Sequence, residues 1–250
     1  MASNPPAACC TRGFRFEGEP TGETIVIGHH DAYLATPNAS NAKDAAILII
    51  PDVISIWQNS MLIADQFAER GYLTLIIDPF NKDALSLNRP DDFDFLFWLT
   101  KGSDGNNPHT KEAVDPIIET AIRYLREVHQ VRRLGGVGYC FGAKYVARHF
   151  RNGIQVGFVA HPSFVEEEEL EGFEAPLSIA AAETDSIFPA EKRHRSEEIL
   201  AKNGHPYQIC LYSQVVHGFS VRCDTSKKIE RFAKEQAFEQ AVTWFDTWLI

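Results

Sequence analysis

The chain has 250 residues, 44% of them apolar, enough for one sizeable core, and a formal charge of −10 with a pI near 5.4. That acidic balance argues against a general nucleic-acid or acidic-membrane binder. No run approaches the roughly 18 apolar residues of a membrane span, and the opening "MASNPPAACCTRGF" lacks the basic and apolar regions of a signal peptide.

The first 44 residues are polar and turn-rich, with "TIVIG" and "DAYLATP" suited to a short strand pair. Residues 45–53 form an Ile-rich apolar run of the kind that marks a strand buried on both faces. Residues 59–70 carry apolar positions at helical spacing and stop at Gly71. "YLTLIIDPF" reads as a second buried strand, and residues 81–108 as an irregular insert holding Phe93, Phe95, Phe97 and Trp98. A helix is expected over 113–129, a strand at "RLGGVGYC" and a helix over 141–151. Further strands are expected at "VGFVAHPS", "PLSIAAAETD" and "YQICLYS", with helices over 190–203 and 227–249. "EEEEL" at 166–170 reads as a solvated helix start or loop. Alternating apolar strands and helices predict an α/β fold, a mostly parallel sheet covered on both faces, in a single domain spanning 1–250.

Five cysteines, odd in number and irregularly spaced, fit a reduced, cytoplasmic chain better than a disulfide scaffold. With no CxxC pair and no HExxH motif, neither a metal nor a cofactor is expected. Chemistry is expected instead at "GVGYCFGAK", where Cys140 stands at the centre of a G-x-C-x-G turn between strand and helix. Such a turn lifts its central side chain above the sheet, and the following helix aims its N-terminal amides at the sulfur, favouring the reactive thiolate. The Phe141 amide is placed to donate to an oxyanion. A nucleophile of this kind needs a base, and the base an orienting acid, in the chain order nucleophile, acid, histidine. Asp185 and His217 each follow a later strand and fit those places, although Asp185 also reads as a helix N-cap and His217 as an ordinary loop histidine. His161, after the intervening strand, is the main competitor for the base.

"GYCFGAK", "ETD" and "HGFSVR", in this order and with "IIPDV" upstream, resemble the dienelactone hydrolase family of α/β-hydrolases from about Ala45 to the C-terminus. "VRCD" and the aromatic insert are similar to fungal members. The resemblance implies an α/β-hydrolase fold and a Cys-His-Asp triad of Cys140, His217 and Asp185. It also implies an oxyanion hole of the Phe141 and Val53 amides. Asp52 matches the place of a family glutamate that holds the resting cysteine, one methylene shorter; its plainer role is a turn residue after Pro51. Of two family arginines that hold a substrate carboxylate, Arg222 fits one, with a surface pair to Asp224 as its plainer role. Asn81 and Lys82 stand where the other belongs, with Arg89 further on. The aromatic insert either lines a pocket over Cys140 or is ordinary core.

The expected activity is hydrolysis of a small lactone or ester through an acyl-enzyme thioester. The alternatives are a secondary-metabolism tailoring reaction on a polyketide-derived substrate in the same cleft, or a non-catalytic binding protein on the same fold. The expected partner is a small molecule, with no nucleic acid and no membrane.

Overall fold

The computed structural model describes residues 1–90 and 92–250. Eight strands form one sheet: β1 (Glu23–Ile27), β2 (His30–Ala35), β3 (Ala46–Ile50), β4 (Leu73–Ile77), β5 (Leu134–Tyr139), β6 (Val156–Ala160), β7 (Leu177–Thr184) and β8 (Tyr207–Val216). Their spatial order is β1-β2-β4-β3-β5-β6-β7-β8. The expected N-terminal hairpin pairs β1 with β2, and β2 joins β4 antiparallel; every pair from β4 to β8 is parallel. The helices are α1 (Gln58–Glu69), α2 (Phe95–Lys101), α3 (Lys111–Glu127), α4 (Gly142–His149), α5 (Glu167–Glu171), α6 (Ala190–Asn203), α7 (Phe219–Arg222) and α8 (Lys228–Trp248).

The continuous apolar runs have a direct cause. All five residues of β3 are buried, and they alternate between two cores. Ala46, Leu48 and Ile50 join the core holding residues of α3, α4 and α6, while Ile47 and Ile49 join the core holding Phe67 of α1 and Phe245 of α8. A period-2 backbone with both faces covered needs an apolar residue at every position. Two elements escaped the sequence reading, α2 inside the aromatic insert and α7 just after His217, while the acidic run begins α5 as one of its two readings had it. None of these is longer than 7 residues, too short for periodicity to show.

The strand order places the site. From β3 the chain moves to β4 on one side and then returns to β5 on the other. The loops leaving β3 and β5 at their C-terminal ends therefore diverge and open a crevice, the usual place for a ligand in such sheets. Three residues are each the first beyond a strand at this end: Cys140 after β5, Asp185 after β7 and His217 after β8.

Candidate active site

Cys140 adopts φ 51°, the left-handed region that an L-residue occupies only under constraint. Two backbone bonds hold it there. Its amide donates to Ala160 O at 3.1 Å, and its carbonyl accepts from Ser163 N at 3.0 Å. Gly142 is required at this elbow, because a Cβ there would strike the carbonyl of Ile50. The close approach brings the loop after β3, with Asp52 and Val53, alongside the start of α4. Phe141 caps α4, and its ring and the Val53 side chain are fully buried.

The expected side chains meet. His217 Nε2 lies 3.2 Å from Cys140 Sγ, and His217 Nδ1 lies 2.9 and 3.0 Å from the two Asp185 oxygens. Asp185 Oδ1 also accepts from the amides of Ile187 at 2.8 Å and Phe188 at 3.1 Å. The N-cap of α6 is Pro189, not Asp185; Asp185 instead closes the turn at Ile187 and Phe188, and these amides fix the carboxylate that aims the imidazole. All three residues are buried.

The electrostatics favour charge separation. Burial alone would raise the Cys140 pKa, but the Cys10 thiol, the His217 ring and the Arg222 guanidinium hold it well below the ordinary thiol value. Burial alone would lower the His217 pKa, yet the Cys140 thiolate and Asp185 push it up to about 10. Both shifts run in the direction that favours a thiolate beside an imidazolium.

His161 comes close without taking the same place. Its ring centre is 5.0 Å from that of His217, and its Nε2 meets Ser220 Oγ at 2.7 Å. Burial, then the His217 and Arg222 charges, drive its pKa well below the ordinary value, so it is a neutral ring packed beside His217.

Arg222 differs from its plainer reading. It is buried rather than exposed, and its Nη1 donates to Asp52 Oδ2 in a buried ion pair. Asp224 instead accepts from Ser226 and lies near Lys227. Arg222 Nε donates to Arg12 O at 3.2 Å, while buried Nη2 has no hydrogen-bond partner among the described residues. Gly218, at φ 88°, leaves the space this guanidinium fills. Asp52 thus holds Arg222, and its other oxygen accepts from Ile54 N at 3.0 Å. Lys82 pairs with Asp31 at 3.5 Å in an exposed position, and Arg89 lies over the Phe93 ring.

The aromatic insert is largely core near the site. Phe141 packs on Phe80 with ring centres 4.9 Å apart, and Phe80 packs on Trp98 at 5.1 Å. Trp98 is buried and donates through Nε1 to Asp83 O, while Phe97 is exposed.

The sequence reading missed Cys10. It belongs to a 3-10 turn, Ala8–Cys10, and is fully buried with Sγ 3.4 Å from His217 Nε2. The N-terminal segment reaches this point by crossing the C-terminal ends of the strands. Ser3 N donates to Val165 O, Asn4 N to Ile187 O and Phe14 N to Arg222 O, while Asn88 N donates to Thr11 O. A polar, turn-rich stretch gave no periodicity to follow; the adjacent cysteine pair was its one unusual feature. Ser163, whose Oγ lies 3.5 Å from Cys140 Sγ, was missed for the same lack of pattern.

Comparison with known proteins agrees with this geometry. The dienelactone hydrolase family model matches residues 30–249. "Hydrolase tropI" of Talaromyces stipitatus is 46% identical over 100% of this chain and 99% of the relative, and "Hydrolase pyvD" of Aspergillus violaceofuscus is 45% identical over the same shares. Among solved structures, a dienelactone hydrolase from Anabaena variabilis covers 93% of this chain and 99% of its own with a TM-score of 0.65 at 14% identity, a likeness of fold. No helix of the described residues is long and apolar enough to cross a membrane. A full-length match to fungal hydrolases, a family model that takes in the whole parallel sheet, and a cysteine elbow on that sheet agree: the chain belongs to the dienelactone hydrolase family and is an α/β-hydrolase enzyme of the ester- and lactone-cleaving class.

Proposed function

We propose that this chain hydrolyses a small lactone or ester by covalent catalysis, with Cys140 as nucleophile, His217 as acid and base, and Asp185 as the group that orients His217. The observation that carries this reading is the continuous hydrogen-bonded chain from Asp185 through His217 to a cysteine at positive φ on the first turn of a helix. Cys140 Sγ attacks the carbonyl carbon, and the carbonyl π electrons move to oxygen. The Phe141 and Val53 amides donate to that oxyanion. The tetrahedral adduct collapses, the leaving oxygen takes the proton from His217 Nε2, and a thioester remains. His217 then removes a proton from water, the hydroxide attacks the thioester, and Cys140 leaves as thiolate. A thiolate formed before substrate arrives suits an activated ester or enol lactone, whose leaving group departs easily. The unpartnered Arg222 Nη2 supports an acidic group on the substrate, with Asp52 holding the guanidinium in place.

One domain spanning 1–250 would carry the whole site, and the need for a reduced Cys140 suits the cytoplasm. The aromatic stack of Phe80, Phe141 and Trp98 favours a second reading, a tailoring step on a bulkier polyketide-derived substrate at the same cysteine. A single experiment tests the common mechanism. A chromogenic ester is mixed with the enzyme, the reaction is quenched in acid, and the intact protein is weighed. An acyl adduct on the Cys140 peptide is expected; hydrolysis that continues after Cys140→Ala, with no adduct in wild type, overturns the assignment.

A further inference from the structure

We infer that Cys10, Cys140 and His217 form a site for zinc or another thiophilic divalent cation, and that occupancy of this site switches the hydrolase off. Two thiols and one imidazole nitrogen converge here, with all three donor atoms within 4.8 Å of one another and all three residues buried. Tetrahedral zinc with Zn–S of about 2.3 Å and Zn–N of about 2.0–2.1 Å separates sulfur from nitrogen by about 3.6 Å and sulfur from sulfur by about 3.8 Å. The sulfur–nitrogen separations are 3.2 and 3.4 Å, a few tenths of an ångström short of those values, and the two sulfurs lie within 4.8 Å of each other.

The surroundings are those of a metal ligand set. The other nitrogen of His217 is held by Asp185, the carboxylate–histidine arrangement that fixes a ligating imidazole and raises its basicity. The N-terminal segment that delivers Cys10 is anchored on both sides of it, at Ser3 and Asn4 and again at Thr11 and Phe14. Two thiolates balance the charge of a divalent ion, and their softness selects zinc over magnesium or calcium. Three protein ligands leave a fourth position for water. Any proton carried by a donor atom passes to solvent as the ion binds. A Cys140 sulfur shared with zinc no longer attacks a carbonyl, and a metallated Nε2 carries no proton.

The inference shares residues with the proposed mechanism but is read by binding, so the two can fail separately. The protein, freed of metal with a chelator, is titrated with zinc against a chromogenic chelator. Hydrolysis is assayed in parallel. We expect one zinc per chain, loss of hydrolysis, and recovery on adding the chelator. Cys10→Ala is expected to weaken zinc binding by about a hundredfold or more, since loss of a supporting residue alone costs ten- to a hundredfold. Cys9→Ala, which leaves all three donors in place, should not. Equal zinc affinity in wild type and Cys10→Ala overturns the site. If Cys10→Ala does not fold, the wild-type protein still decides. Zinc must protect both Cys10 and Cys140 from alkylation, as mapped by peptide mass, and alkylation of Cys10 at an unchanged rate overturns the site. Zinc binding by a protein that hydrolyses no ester would instead count against the hydrolase reading alone.

Discussion

A carboxylate–imidazole pair lies at each end of helix α4, and the two ends do different things. At its N-terminus, Asp185 holds His217 against Cys140. At its C-terminus, Asp115 Oδ1 meets His149 Nε2 at 3.0 Å, with His149 as deeply buried as His217. The second pair faces no nucleophile: the other nitrogen of His149 contacts the Asn152 amide at 3.4 Å. Its carboxylate is shared with Arg148, which continues to Glu169 and so to Lys144, closing a network of balanced charges. A buried Asp–His contact therefore says little about chemistry. The decision lies in what the free ring nitrogen meets and whether that group sits where a carbonyl can approach it.

The largest expected effect breaks the first end. Cys140→Ala or His217→Ala should lower kcat/KM on a chromogenic ester by about 10^4- to 10^6-fold, since members of such a unit fail together. Thermal unfolding should change far less than kcat/KM. His161→Ala should cost about tenfold or less, because His161 packs on His217 without reaching the sulfur. If His161→Ala proves as damaging as His217→Ala, the base has been misassigned. Asp185→Asn should cost about 10^3- to 10^4-fold by allowing the wrong tautomer of His217. A similar loss from Asp115→Asn would erase the distinction between the two ends.

Much of the N-terminal end of α4 was legible in the sequence, for physical reasons that explain the rest. The chemistry sits on residues that immediately follow strands, and strands buried on both faces announce themselves as apolar runs. Locating the ends of β5, β7 and β8 therefore located Cys140, Asp185 and His217. The fold followed from the same runs. Cys10 was illegible because its position depends on where an irregular segment crosses the sheet, which only tertiary contacts settle. The Arg222–Asp52 pair was hidden for a related reason: Arg222 ends α7 after β8 and Asp52 lies on the loop after β3, far apart in sequence, and only the strand order brings them together. His149 lies on α4 and its partner Asp115 on α3, a pairing that no local pattern announces.

A middle-sized effect separates substrate reading from catalysis. Arg222→Ala should lower kcat/KM on a carboxylated lactone by about ten- to a hundredfold relative to its methyl ester, the worth of one charge-assisted hydrogen bond of roughly 1.5–3 kcal/mol. The substitution also strands Asp52 in a buried site, so some loss on both substrates is expected. The ratio between substrates is the measurement. An unchanged ratio would mean that Arg222 only braces the loops after β3 and β8.

The smallest effect on turnover belongs to the C-terminal end of α4, where the prediction concerns stability. Burial alone would raise the Asp115 pKa, but hydrogen bonds from His149 and Arg148 lower it to about 2. An unfolded aspartate titrates near 3.9. A folded pKa below the unfolded one contributes stability that is fully present above about pH 4 and is lost as the pH falls toward 2. With about a fifth of the side chain exposed, solvent screening leaves about 1–2 kcal/mol of the ideal linkage value. Asp115→Asn should therefore be less stable than wild type by about that amount at pH 7, and the gap should close between pH 4 and pH 2. Urea unfolding across that range measures it, with ester turnover at pH 7 nearly unchanged. A gap that persists undiminished at pH 2 would mean that Asp115 stabilises α4 through packing or neutral hydrogen bonds. The two ends of the helix would then differ in electrostatic design as well as in chemistry.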